Sequence, residues 1–122
     1  MNCPQLSKLV LIILHRLAVK LLGQMLIHTV LFWLRKELST SEREDFRVAL
    51  DSLKQIPSAA FVYVGSPAST PDRPVIDASY DFCLTVLLED MAAHDAYQQN
   101  PLHQKFLENK ELWERVQIYD AD

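Results

Sequence analysis

The segment Ala96 to Phe106, AYQQNPLHQKF, sets a tyrosine six residues before a histidine, with Asn-Pro between them. Histidine titrates near neutral pH, so it suits proton abstraction from a carbon next to a carbonyl. A tyrosine hydroxyl can orient such a base or stabilise the enolate oxygen that forms. The same letters also describe a helix corner with a well-placed cap, and both readings stand at this point. The other histidines are His15, His28 and His94. His28 lies within the apolar run IHTVLFWLR. His94, flanked by Asp95 on a polar helix, reads as a surface side chain, and His15 falls in the N-terminal stretch and takes no role. There is no C-x-x-C, no H-E-x-x-H and no paired His/Cys spacing, so no metal is expected. Two glycines, Gly23 and Gly65, are too few for a Gly-rich phosphate cradle, so no nucleotide cofactor is expected either.

The elements that must position these groups follow from bulk properties and periodicity. A chain of 122 residues suits one domain. A domain of this size buries only about two-thirds of its chain surface, so a partner chain that covers apolar area would stabilise it. The formal net charge is −4, from 12 basic and 16 acidic residues. Residues 1–24 hold Lys8, Arg16 and Lys20 and no acid, which leaves an acidic body without a basic stripe and argues against nucleic acid as a partner. Cys3 and Cys83 read as two free thiols in a reducing compartment, and a cytoplasmic location is expected.

From Met25 the pattern alternates strand and helix. Leu26 to Arg35 is rich in β-branched and aromatic residues, and both of its parities are apolar, as in a strand covered on both faces. A helix follows, capped by Ser39 or Ser41 with Glu42 or Glu44 three residues on. Phe46, Ala49, Leu50 and Leu53 form its apolar stripe, and Pro57 stops it. Ala59 to Gly65 is a second strand. A proline-rich loop leads to a third, Tyr80 to Glu89, again apolar on both parities. Asp90 caps a short helix, Pro101 starts another turn or helix, PLHQKFLENKELWERV, with Leu102, Phe106, Leu112 and Trp113 apolar, and Val116 to Asp120 closes as a short strand. The order β-α-β-β-α-β is the ferredoxin-like split β-α-β unit, an α+β fold. His28, Val30 and Phe32 share the parity that looks at the helices, where Phe46, Leu50, Phe82 and Leu84 would complete a pocket for an apolar or aromatic ligand. The opposite face carries Ile27, Leu31, Trp33, Cys83 and Leu87, too apolar to be left open. A homodimer packed sheet against sheet covers it.

Residues 1–24 stand apart from this body. Lys8 to Gln24 is helical in pattern, with Arg16, Lys20 and Gln24 at i+4 spacing. Its uninterrupted apolar run, Leu9 to Leu14, is far short of the ~20 residues that span a bilayer. Three readings stay open: an interfacial helix that touches membrane, an extra helix docked on the domain, or a true start at Met25 with the upstream stretch not native. The domain proper is taken as residues 25–122.

IHTVLFWLR, YDFCLTVLLED, AYQQNPLHQKF and the terminal VQIYD, in this order, resemble the stress-responsive A/B barrel (dimeric α+β barrel) domain family from Met25 to about Asp120. The resemblance implies a ferredoxin-like protomer and a homodimer whose two sheets enclose a barrel. Many members of the family have no assigned activity, and some plant members are stress-induced. One plant member is a polyketide cyclase, which carries out an aldol condensation with a first-strand His, a corner Tyr and His, and a further His near the start of the third strand. Carried over, these are His28, Tyr97 and His103, while the third-strand position is Phe82 and lacks the histidine. The implied trio has His103 as base, Tyr97 as its partner and His28 as orienter. The alternative is a scaffold, in which His103 bonds a backbone group at the helix start, Tyr97 puts its hydroxyl at the surface, and His28 is a satisfied buried histidine. Three functions follow: a small-molecule-binding domain, a cofactor-independent lyase or cyclase, and, from a related barrel family, a cofactor-free monooxygenase.

Overall fold

The computed structural model describes residues 8–14 and 25–122. Of the expected N-terminal helix, residues 8–14 are helical and exposed. His15, Arg16, Lys20 and Gln24 lie outside the described residues, as does Cys3. Among the described residues no helix is long and apolar enough to cross a membrane.

The body runs β1 (Leu26–Leu34), α1 (Thr40–Ser52), β2 (Phe61–Gly65), β3 (Phe82–Leu88), α2 (Met91–Gln99), α3 (Pro101–Phe106) and β4 (Trp113–Ala121). Short 3-10 turns follow α1 (Leu53–Gln55) and α3 (Leu107–Leu112). The four strands form one sheet in the order β2-β3-β1-β4, every neighbouring pair antiparallel. This is the ferredoxin-like α+β topology that the order of elements dictates.

Parity sets the two faces. Along β1, Leu26, His28, Val30, Phe32 and Leu34 are buried beneath the helices, while the residues between them are more open. Val62, Val64, Leu84, Val86 and Leu88 join the buried side from β2 and β3, and Phe46 and Leu50 come down from α1. Each such side chain contributes about 1.5–3 kcal/mol of burial. α1 starts where the sequence marks it: the Ser39 hydroxyl accepts from the Glu42 N–H at 3.1 Å, and the Glu42 carboxylate accepts from the Ser39 N–H at 3.0 Å. At the far end of β1, one Asp81 oxygen accepts from the Leu34 N–H at 2.7 Å and the other from Arg43 at 3.2 Å. That carboxylate ties the loop before β3 to both β1 and α1.

The last strand departs from the sequence pattern. It starts at Trp113, where the apolar spacing had indicated helix. The reason is backbone hydrogen bonding. One edge of β1 needs partners along its length, and β4 supplies them from Ile27↔Ala121 to Leu34↔Trp113. Arg35 N–H extends the pairing to the Leu112 carbonyl at 2.9 Å.

Candidate functional site

The Asn-Pro corner explains how Tyr97 and His103 come together. Asp90 caps α2 by accepting from the Ala93 N–H at 2.8 Å. α2 ends at Gln99, and Asn100 leaves the helix in an extended conformation, as the residue before a proline must. Its side chain then caps α3, accepting from the Leu102 N–H at 2.9 Å, while Pro101 fills the first helical position without a lost donor. The Gln104 amide reaches back to the Gln98 carbonyl at 2.7 Å. Asn100 therefore does the capping, and His103 is released from it.

The His103 and Tyr97 rings meet edge-on with centroids 5.0 Å apart. Tyr97 is fully buried, and its hydroxyl has no hydrogen-bond partner in the protein. His103 Nδ1 is likewise buried and unpartnered. Neither residue follows the scaffold pattern of a surface hydroxyl and a backbone-bonded imidazole. Burial pushes the His103 imidazole below its ordinary value, and the nearby His28 and His94 rings push it the same way. At neutral pH it is a neutral base. Burial drives the Tyr97 phenol well above its ordinary range, so it stays protonated and able to donate.

His28 lies 6.1 Å from Tyr97, ring to ring, also edge-on. It is not an orphan. β4 sets Asp120 directly opposite it, and His28 Nδ1 donates to Asp120 Oδ1 at 2.5 Å. The carboxylate fixes the tautomer and leaves Nε2 as an acceptor. His94 departs from its surface assignment. Its side chain is only 19% exposed, and its ring sits 5.5 Å from His28. One turn of α2 separates His94 from Tyr97, which places both on the face that meets the sheet. One nitrogen from each of His28 and His94 and an Asp120 oxygen lie within 4.8 Å of one another, the grouping among the described residues best suited to a metal ion.

A cavity of about 150 Å³ opens beside this cluster. His28, Val30, Phe32 and Leu84 form its floor, Gln98, His103, Phe106 and Leu107 its helical wall, and Trp113, Val116 and Ile118 its β4 side. Tyr97 stands behind the two histidines rather than on the wall. Phe46 and Leu50 are wholly enclosed in the core, and Phe82 packs on Phe46 at 5.8 Å, so these three are not on the wall either. The cavity forms at β4 because the helices leave this edge strand uncovered: Val116 and Ile118 are 40% and 48% exposed on the helix-facing parity. Sequence reasoning missed this side, together with Asp120 and His94. The usable signals were the alternation of Val116, Ile118 and Asp120 and the i,i+3 spacing of His94 and Tyr97.

The sequence pattern of the stress responsive A/B barrel domain matches residues 26–122. No curated protein matches the chain significantly. Among solved structures, the chain is similar to a Dabb family protein with a ferredoxin-like fold from Mesorhizobium loti, at 26% identity and TM-score 0.65 over 80% of this chain and 95% of that one. A dimeric ferredoxin-like protein of unknown function from Thermobifida fusca matches at 21% identity and TM-score 0.65, covering 80% and 89%. Hydroxynitrile lyase from Passiflora edulis matches at 14% identity and TM-score 0.67, covering 80% and 92%.

Proposed function

Because the chain belongs to the stress responsive A/B barrel domain family, we propose that it is a homodimeric domain that binds a small apolar or aromatic molecule in the cavity beside His28 and His103. One observation carries this reading: the Tyr97 hydroxyl and His103 Nδ1 are both buried with no partner. Each such group costs about 1–3 kcal/mol, a penalty a scaffold has no reason to keep twice within one corner. A ligand that presents a polar atom to His103, the member of the pair that lines the cavity, with an apolar body over Val30, Phe32 and Phe106, engages this corner. A cavity near 150 Å³ admits about one benzene-sized ring. Single-ring compounds are therefore the right class, with any substituent leaving past Val116 and Ile118.

The same geometry supports a cofactor-independent lyase or cyclase as the second reading. A neutral His103 on the cavity wall can take a proton from carbon, Tyr97 behind it can hold that imidazole in place, and His28 held by Asp120 can orient the ligand. The observation that favours it is the edge-on meeting of the Tyr97 and His103 rings at 5.0 Å beside His28 on the cavity wall, with burial keeping both Tyr97 and His103 neutral. The hydroxynitrile lyase with the same fold carries its own activity and lends only the precedent.

The dimer uses the open sheet face. Ile27, Leu31, Cys83 and Leu87 lie there, and the register adds Phe61, Tyr63 and Tyr119, which are 54%, 59% and 60% exposed. Trp33 sits at the margin, its indole N–H on the Ser79 hydroxyl at 3.0 Å and the Arg115 guanidinium 4.1 Å over its ring. A face with this much exposed aromatic area calls for a partner sheet.

Ligand-observed NMR with single-ring aromatics, phenols and cyclic ketones tests the binding reading. The expected result is binding by the wild type that His103→Ala abolishes with little change in stability. Binding without turnover identifies the first reading, and exchange of a bound ligand's α-proton with deuterium identifies the second. Oxygen uptake would indicate a monooxygenase instead. No binding, joined to a large loss of stability in His103→Ala, overturns both readings.

A further inference from the structure

We propose that His28, His94 and Asp120 form a site for a divalent transition-metal ion, zinc by the chemistry of its donors, at the margin of the cavity. The donors come from three elements: His28 from β1, His94 from α2 and Asp120 from β4. That is why no metal-binding spacing shows in the sequence. One ring nitrogen of each histidine and one carboxylate oxygen already lie within 4.8 Å of one another. A tetrahedral zinc with bonds of about 2.0–2.2 Å holds its ligands about 3.4 Å apart, so closure requires movements of about an ångström. Two imidazoles on one such ion have centroids about 5 Å apart by the same geometry. Here they are 5.5 Å apart, with their planes crossed at 76°.

The exposed donor is the one that closure must move. His28 is enclosed in a central strand with its side chain 4% exposed, whereas the Asp120 side chain is 48% exposed, with solvent space beside it into which the carboxylate can turn from hydrogen bond to ligand. His94 carries an orienting partner of its own: its Nδ1 donates to Asp95 Oδ1 at 3.2 Å. This leaves Nε2 with its lone pair, the carboxylate–histidine arrangement that supports many zinc ligands. The two imidazoles meet beside a carboxylate with no hydrogen bond between the two rings. Two imidazoles select zinc and its neighbours over magnesium or calcium. Three protein donors leave a coordination position open, as in zinc sites that bind a water or a ligand oxygen. The inference does not depend on what occupies the cavity.

The test is zinc titration of the full-length wild-type chain against a chromophoric chelator, with magnesium as the comparison ion. The expected result is one zinc per chain, no competition from magnesium, and a melting temperature raised by zinc. His94→Ala and Asp120→Asn change partly exposed side chains, and circular dichroism checks that both fold. Each is expected to weaken zinc at least about tenfold and to remove the thermal shift. Absence of zinc binding by the wild type overturns the proposal. So does zinc binding that survives both substitutions, which would place the ion elsewhere, such as on Cys83.

Discussion

Tyr97→Phe separates a functional hydroxyl from a structural one. Tyr97 is fully buried, and its oxygen has no partner in the protein. A polar group in that position costs about 1–3 kcal/mol, which the substitution returns. Against this stands the void left by one oxygen, roughly 20 Å³, which costs about 0.5 kcal/mol at about 24 cal/mol per Å³. The ring keeps its edge-on contacts with His103 and His28. The net expectation is a stabilisation of about 1 kcal/mol, or about 4 °C in melting temperature for a domain of this size. Urea unfolding followed by far-ultraviolet circular dichroism measures the first figure, and a thermal melt measures the second. The same variant is expected to weaken ligand binding through the His103 ring it meets edge-on, which is the stability–function exchange of a group kept for its chemistry. A Tyr97→Phe protein that is less stable than wild type by about 1 kcal/mol or more refutes the reasoning, because the hydroxyl would then be a satisfied part of the scaffold.

The remaining predictions concern pH, assembly and the N-terminal stretch. His103 titrates lower in the folded protein than in the unfolded chain, so the unfolded state takes up its proton first as pH falls. Stability is therefore full above about pH 6.5 and declines below it, by at most about 1.4 kcal/mol per pH unit, until the folded-state value is passed. His103→Gln is expected to flatten that acid limb in denaturant titrations from pH 7 to pH 5, and an unchanged limb would assign the effect elsewhere. Tyr97 is raised, so its contribution is full below about pH 10 and is lost above it; Tyr97→Phe should remove that alkaline loss. Leu31→Asp places a charge at the middle of the open sheet face, opposite Cys83 and Gln117, and sedimentation velocity should show monomer in place of dimer. A wild type that sediments as a folded monomer at micromolar concentration would remove the dimer itself. Deletion of residues 1–24 is expected to leave the fold and melting temperature unchanged, since residues 8–14 are exposed and the body is complete from β1; a much lower melt would make that stretch integral.

The sequence by itself determined the α+β architecture, because its signals are local. The β-branched and aromatic runs Leu26–Leu34 and Phe82–Leu88, the Ser39/Glu42 capping box, and the Asp90 and Asn-Pro punctuation each act within a few residues. Parity alone placed His28, Val30, Phe32 and Leu84 under the helices and left Ile27, Leu31 and Leu87 on the open side. What the sequence did not determine depends on which strand lies beside which, and on where cover stops. Only the β1–β4 register sets Asp120 against His28, two residues far apart in the chain. Only the placement of α2 against the sheet brings His94 to His28, although its neighbour Asp95 is exposed on the same helix. Trp113 looked helical because its apolar spacing fits either period, and the unmet hydrogen bonds of β1 decided for strand. The pocket wall moved for a related reason. Phe46 and Leu50 are apolar and face the sheet, as expected, but dense packing closes the space around them. The cavity opens instead along β4, where the helices end and their cover of the sheet stops.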